Sequence, residues 1–398
     1  MRPRAGSKAL IREINEALIL DVVRAHAPVA RAAISTRTGL SPATVTGITT
    51  RLLQAGLLTE TDIAPSPRGR PARLLELGRD TVLAAGVRLS ATEAYAVLVN
   101  LRGEVVTSHR EPLASTTPQD AVRAVVAAVR TAAARKKSAA LTGVGVAVSG
   151  VVDHAGGVVR HSGSLGWKDV PFQAQLAAAL NTPVSVDSYV NSVASGLLLF
   201  DSRLAGRDLL VFSVGMSLGA SMVVRGRIHR GYNGTAGGFA HTHVNMGADR
   251  PCHCGAADCL ETWSSRWGID RERERRAAAT ASTSTSASAP ASDDDLTTAA
   301  GEVLGTGMAN AAKTFGPERV VVAIGREMDL PGLPALTAEA FRRQYAHEHS
   351  PAPAFESAPA DESALAQGAA YTVLARMFTT DIAQPDDGAG QPGQGPVR

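Results

Sequence analysis

The chain has 398 residues, 44% of them hydrophobic and 19% charged, with a formal net charge of +3 at pH 7. That length supports two or three domains with substantial cores, and the balance excludes a disordered chain and an integral membrane protein. The charge is uneven: residues 1–79 carry 12 Lys+Arg against 6 Asp+Glu, which leaves the remainder at −3. A basic head on a slightly acidic body suits contact with a phosphate backbone through the head alone.

The first 20 residues interleave Arg12, Glu13 and Glu16 with apolar positions and lack the apolar core and cleavage site of a signal peptide. They predict an amphipathic helix over 7–26, with Leu10, Ile14, Leu18 and Val22 as its stripe. No run is long and apolar enough to cross a membrane, so the expected location is the cytoplasm. A second helix is predicted over Arg31–Thr38 and a third over Ser41–Ala55, joined by a TGLS turn. Ser41 suits the N-cap, Pro42 the first turn and Gly56 a left-handed end. Val45, Ile48 and Leu52 share one face, while the other faces carry small or polar residues. A helix that enters the major groove of double-stranded DNA needs such a slim surface. Leu57–Thr61 and Arg73–Leu77 read as two strands of a wing around a basic loop. Ser41, Thr44, Thr46, Thr50 and Arg51 on the helix, with Arg68 and Arg70 in the loop, are the candidate DNA contacts.

From about residue 81 the texture changes to short apolar runs bounded by glycine, alternating with helical segments such as 118–136. That pattern predicts an α/β fold. Two glycine-rich strand–turn–strand units, near residues 88 and 215, suggest duplicated halves around a cleft. The expected division is a winged helix-turn-helix over 1–79, a body over 80–383 and a tail over 384–398. Segments 271–295 and 384–398 are low in complexity and are not assigned structure. All three cysteines, Cys252, Cys254 and Cys259, lie in one window, which argues for a metal site or local redox chemistry rather than a disulfide framework. Zinc needs a fourth ligand, and His241 and His243 are the alternatives; His253, between two of the cysteines, is expected to point away.

Taken together, RTGLSPATVTGITTRLLQAGLL, GRP, GVAVSGVVD, GSLGW, GRIHRGYNGTAGGFAH, CHCGAADCLE and the late QGAA resemble the ROK-family transcriptional regulators. The resemblance runs over roughly residues 10–380. It implies a two-lobed actin-like ATPase fold behind a winged helix-turn-helix, a sugar cleft, and assembly as a homodimer or homotetramer. It also implies structural zinc held by His241, Cys252, Cys254 and Cys259, and effector contacts from Gly150, Ser164, Ser188, His241 and Glu261.

The chain departs from the family's kinases at the reacting positions. Gap-free alignment of PVSVDSYVN (183–191) puts Tyr189 on the catalytic Asp, and a phenol with a pKa of about 10 is a poor base at neutral pH. The first phosphate loop reads Arg88-Leu89-Ser90-Ala91-Thr92, with a cation where the family has an acid. The second reads Gly215-Met216-Ser217-Leu218-Gly219, where Met216 and Ser217 are expected to add bulk. Gly238 replaces the family's sugar-binding Glu. The expected function is therefore a DNA-binding regulator, most simply a repressor, whose catalytically inactive body senses a sugar or other small molecule. The alternative is an ATP-dependent sugar kinase with a regulatory head.

Overall fold

The computed structural model describes residues 8–64, 72–79, 81–136, 139–282, 293–345 and 351–378. Arg68, Arg70 and the tail from 384 lie outside the described residues. The chain forms two compact units, one of Met1–Val82 with Leu374–Arg398, the other of Leu83–Val373.

The first unit contains α1 (Lys8–His26), β1 (Val29–Ala30), α2 (Arg31–Thr38), α3 (Pro42–Gln54), β2 (Leu58–Ala64) and β3 (Ala72–Leu77). The strands form one antiparallel sheet in the order β1-β3-β2. The Ser41 side chain caps α3 by accepting the Thr44 N–H at 3.1 Å, an interaction worth about 1 kcal/mol. Gly56, at φ +68°, ends the turn after α3. The core takes Val45, Ile48 and Leu52 from α3, Ile34 from α2 and Leu75 from β3. One expectation fails here. The buried face of α1 is Ala17, Ile19, Leu20 and Val23, while Leu18 is 40% exposed. α1 is apolar around more than half of its circumference, so periodicity alone does not say which stripe faces the sheet and α3.

The second unit holds two sheets built to one plan. β4 (Val82–Leu89), β5 (Glu93–Asn100) and β6 (Val105–Pro112) run antiparallel, and α4 (Pro118–Ala134) leads to β7 (Ala140–Val148). Small strands β8 (Val151–Asp153), β9 (Val158–Ser162) and β10 (Trp167–Val170) follow, then α5 (Phe172–Leu180) and β11 (Val184–Ser188), parallel to β7. After α6 (Tyr189–Phe200) the plan repeats. β12 (Leu209–Val214), β13 (Leu218–Val224) and β14 (Arg227–His229) are antiparallel. Next come α7 (Leu260–Ser264), α8 (Arg266–Ser282), α9 (Asp293–Phe315), β15 (Arg319–Gly325), α10 (Leu333–Tyr345), β16 (Ala354–Ala360) and α11 (Glu362–Phe378), whose residues from Leu374 on belong to the first unit. The sheet orders β11-β7-β4-β5-β6 and β14-β13-β12-β15-β16 correspond strand for strand, with the parallel strands added on the far side of β4 and of β12. Each sheet buries its own apolar cluster, around Leu98, Val146 and Phe172 in one and around Phe212, Leu304 and Phe341 in the other.

α8 runs through residues 271–282, part of the stretch assigned no structure from its composition. Charge pairs account for it. Glu272, 2% exposed, pairs with Arg275 at 2.8 Å, Arg276 at 2.6 Å and Arg250 at 3.4 Å. Burial alone would raise the Glu272 pKa; the hydrogen bonds from Arg275 and Arg276 and the charge of Arg250 outweigh it and bring the carboxylate down to about 2. A depressed carboxylate contributes stability that is full above its unfolded pKa, near 4.5, and lost as pH falls toward 2. Glu272→Gln is therefore expected to be less stable than the parent at pH 7 and to lose less of its stability between pH 5 and pH 3. Urea unfolding across that range measures both effects.

Candidate functional site

On the first unit, α3 holds its apolar face inward and leaves Ser41, Thr46, Gly47, Thr50 and Arg51 exposed, with Thr44 half-buried. The Thr46 and Thr50 hydroxyls donate to the carbonyls of Pro42 and Thr46 at 2.8 Å each, which leaves their methyl groups and lone pairs outward. A Cβ on Gly47 would have no neighbour within 4 Å. Arg51 is tied to Glu16 of α1 at 2.7 Å, a surface pair whose release costs about 1 kcal/mol or less. Arg31 and Arg73 both bind Glu60, at 3.0 and 2.6 Å, and Arg31 also donates to buried Thr49. These pairs fasten β2 and β3 to the start of α2 and, through Thr49, to α3.

The second unit brings four ligand atoms together. His241, Cys252, Cys254 and Cys259 place one donor each within 4.8 Å of the others. The Cys252 Sγ lies 3.6 Å from His241 Nδ1, and the Cys254 Sγ 3.6 Å from the Cys259 Sγ. Ligand bonds of about 2.3 Å to sulfur and 2.0 Å to nitrogen around a tetrahedral zinc give separations of this size, so the donor set fits. Gly255, at φ +94°, turns the chain between the cysteines, and the Gly255 N–H donates to the Cys252 carbonyl at 3.0 Å. Of the alternatives for the fourth donor, His241 is in the cluster; the His243 ring instead meets the Ala257 carbonyl at 3.2 Å. The His253 ring packs edge-on against Trp267 at 4.8 Å and against His241 at 5.2 Å. Burial pushes the Cys259 thiol up to about 12, so a metal there must displace a firmly held proton.

Between the two sheets lies a cleft of about 150 Å³, lined by Gly150, Ser188, Tyr189, Gly215, His241 and Glu327 among others. Gly150 sits at φ +106°, and a Cβ there would come within 2.0 Å of the His161 carbonyl oxygen, so the approach of β8 and β9 requires glycine. Ser188 caps α6, accepting the Asn191 N–H at 3.3 Å. Ser164 is not among the cleft-lining residues and shares a hydrogen bond with Ser149, which is. Glu261, 2% exposed, accepts the Leu218 N–H at 3.4 Å, and burial raises its pKa to about 7.

Tyr189 starts α6 and donates its hydroxyl to the Leu89 carbonyl; burial pushes its pKa up to about 12. Arg88 lies over the Tyr189 ring at 5.6 Å and pairs with Glu362 at 2.9 Å. The nearest carboxylate in sequence, Asp187, is saturated. It accepts from Arg230 Nη2 at 2.7 Å, Asn191 Nδ2 at 2.7 Å and the Ser188 N–H at 2.8 Å, with His154 Nδ1 3.3 Å away. In the second glycine turn Met216, 52% exposed, and Ser217 both line the cleft, and the backbone of the turn meets one further group. The group lodged there is the Glu327 carboxylate, which accepts the Met216 N–H at 3.2 Å. Sequence reasoning missed Arg230, Glu327 and Glu362. Their partners lie 43, 111 and 274 residues away, and no local spacing signals such pairs.

No helix among the described residues is long and apolar enough to cross a membrane. The chain is 26% identical over 337 residues to the xylose repressor of Caldicellulosiruptor bescii, a match over 80% of this chain and 84% of that protein. A solved ROK-family transcriptional regulator, described as a homologue of the E. coli MLC protein, superposes with a TM-score of 0.74 at 22% identity. It covers 93% of this chain and 98% of its own. A ROK-family glucokinase from Streptomyces griseus, solved with glucose and AMPPNP, gives 0.61 at 23% identity over 72% of this chain and 98% of its own. The two-lobed α/β body thus has the actin-like ATPase fold seen in sugar kinases. With the ROK family profile matching residues 84–376, most of its length, the chain belongs to the ROK family.

Proposed function

We propose that the chain is a sequence-specific DNA-binding repressor whose ROK body senses a sugar and does not phosphorylate it. The observation that carries this reading is the slim, exposed face of α3, capped by Ser41 and held clear of the core by Val45, Ile48 and Leu52. Ser41, Thr44, Thr46, Thr50 and Arg51 read the groove or its phosphates, with Arg68 and Arg70 reaching from the wing. The likeness to a protein named xylose repressor supports a sugar effector. That effector is met in the cleft by Gly150, Ser188 and His241, with Ser164 acting through Ser149 and Glu261 through the Leu218 N–H. Zinc on His241, Cys252, Cys254 and Cys259 is structural: it leaves no open coordination position and fixes the His241 ring at the cleft edge. A homodimer or homotetramer presents paired recognition helices to the half-sites of a partly palindromic operator.

Footprinting on DNA upstream of the chain's own gene tests the reading. A protected, near-palindromic segment whose binding weakens steeply with salt is expected. Sequence-indifferent binding overturns it.

A second reading, an ATP-dependent sugar kinase with a regulatory head, is favoured by the likeness to a glucokinase. Against it stand Tyr189 at the position of the base, Arg88 in the first phosphate loop and the engagement of Asp187 by Arg230. Wild type and Tyr189→Asp are both expected to give no sugar-dependent ADP release in a coupled assay over hexoses, pentoses and amino sugars. Turnover by the wild type establishes the kinase.

A further inference from the structure

His241 has two ring nitrogens, and the cysteine knuckle needs one of them. Its Nδ1 lies 3.6 Å from the Cys252 Sγ, which leaves Nε2 without a part in the zinc site. A second set of donors meets on the same ring. His241, His253 and Glu261 each place one donor atom within 4.8 Å of the other two. The His241 and His253 rings stand at 89° with their centroids 5.2 Å apart. Two imidazoles on one tetrahedral ion, with metal–nitrogen bonds of about 2.0 Å, hold their centroids roughly 5 Å apart. His253 touches the rings of His241 and Trp267 and, among the described residues, makes no hydrogen bond. Glu261 is 2% exposed and pairs with no Lys or Arg among the described residues; its carboxylate accepts one hydrogen bond, from the Leu218 N–H at 3.4 Å. A buried carboxylate so poorly partnered is charged at a cost unless a cation comes to it.

We infer that His241, His253 and Glu261 seat a second divalent ion, of the zinc, cobalt or nickel class, beside the knuckle. Two imidazoles and one carboxylate suit those ions, whereas calcium and magnesium ask for oxygen donors throughout. His241 bridges the two ions, with Nδ1 toward the structural zinc and Nε2 on the second. The Nε2 proton passes to solvent as the second ion binds. Three protein donors leave that ion a position for water or, since His241 lines the cleft, for a hydroxyl of the effector. With a proton to displace and no thiolate among its ligands, the second ion is held more weakly than the first. The inference rests on the reading of His241, Cys252, Cys254 and Cys259 as a zinc site, and it adds His253 and Glu261, which have no part in that site.

The test is titration of full-length, zinc-loaded protein, dialysed free of loosely held metal, with cobalt(II) chloride. Wild type is expected to take up one cobalt per chain, with visible d–d absorption and without the near-ultraviolet sulfur-to-cobalt charge-transfer band. His253→Ala is expected to weaken that uptake at least about tenfold while the tightly held zinc and the melting temperature stay as in the wild type. Glu261→Gln is expected to weaken it likewise. His253 is exposed, so its truncation leaves the fold intact, and it carries the test if Glu261→Gln fails to fold. No cobalt uptake by the wild type, uptake that displaces zinc and brings the charge-transfer band, or uptake unchanged in His253→Ala overturns the proposal. The knuckle is judged separately, by the zinc content of the purified protein. A chain that holds no zinc, yet shows a cobalt band that lacks sulfur charge transfer and disappears in His253→Ala, overturns the zinc reading and leaves the second seat standing.

Discussion

Gly47→Glu in α3 is expected to weaken operator binding by at least about a hundredfold while the protein stays folded. Gly47 lies on the exposed face between Thr46 and Ile48, and a Cβ there meets nothing within 4 Å. The new side chain therefore starts into open space, and the position is exposed. Replacing a mid-helix glycine also stabilises the helix by roughly 0.5–1 kcal/mol, so the melting temperature is expected to hold or rise. The loss arises at the DNA. A carboxylate carried into a groove walled by phosphates meets like charge in a poorly screened space, which costs several kcal/mol, and about 2.8 kcal/mol is a hundredfold. Gly47→Ala separates bulk from charge and should lose far less. Fluorescence anisotropy with the footprinted duplex, together with a thermal melt, reads both quantities. Unchanged affinity for Gly47→Glu removes α3 as the recognition helix.

The largest effect on the body is expected from loss of the zinc proposed for the His241, Cys252, Cys254 and Cys259 cluster. Cys259→Ser is expected to reduce zinc from one per chain to none and to lower the melting temperature by about 10 °C. Cys259 is 1% exposed and sits at the N-cap of α7, a helix of five residues that are all buried. So short a helix does not persist by itself, because nucleation is unfavourable. It needs the knuckle, the Leu260 N–H on the Thr242 carbonyl at 2.9 Å, and Trp263 under Arg250 at 3.5 Å. α7 also carries Glu261, so its loosening removes the carboxylate that faces the Leu218 N–H and should abolish any response to sugar. Metal content by mass spectrometry and a melt with and without chelator decide the matter. A variant that keeps its zinc and its melting temperature shows that Cys259 is not a ligand.

Much of the head was written in local order. Ser41, Pro42 and Gly56 mark the limits of α3, and its apolar spacing names the buried face, because caps and helical periods act over three or four residues. The repeated strand–turn–strand units likewise foretold two similar halves, and the three cysteines foretold a cluster. What sequence left open was decided by packing. Which stripe of α1 turns inward depends on the sheet and α3 beside it, since the helix is apolar on more than one side. His241 rather than His243 joins the sulfurs because the knuckle pairs His243 with the Cys259 backbone and turns its ring to Ala257. The closure of the cleft needed the fold entirely. Tyr189 on Leu89, Arg230 on Asp187 and Glu327 in the β12–β13 turn join groups 100, 43 and 111 residues apart. Pairings over such separations follow from how strands and helices stack, and the identities of neighbouring residues do not encode them.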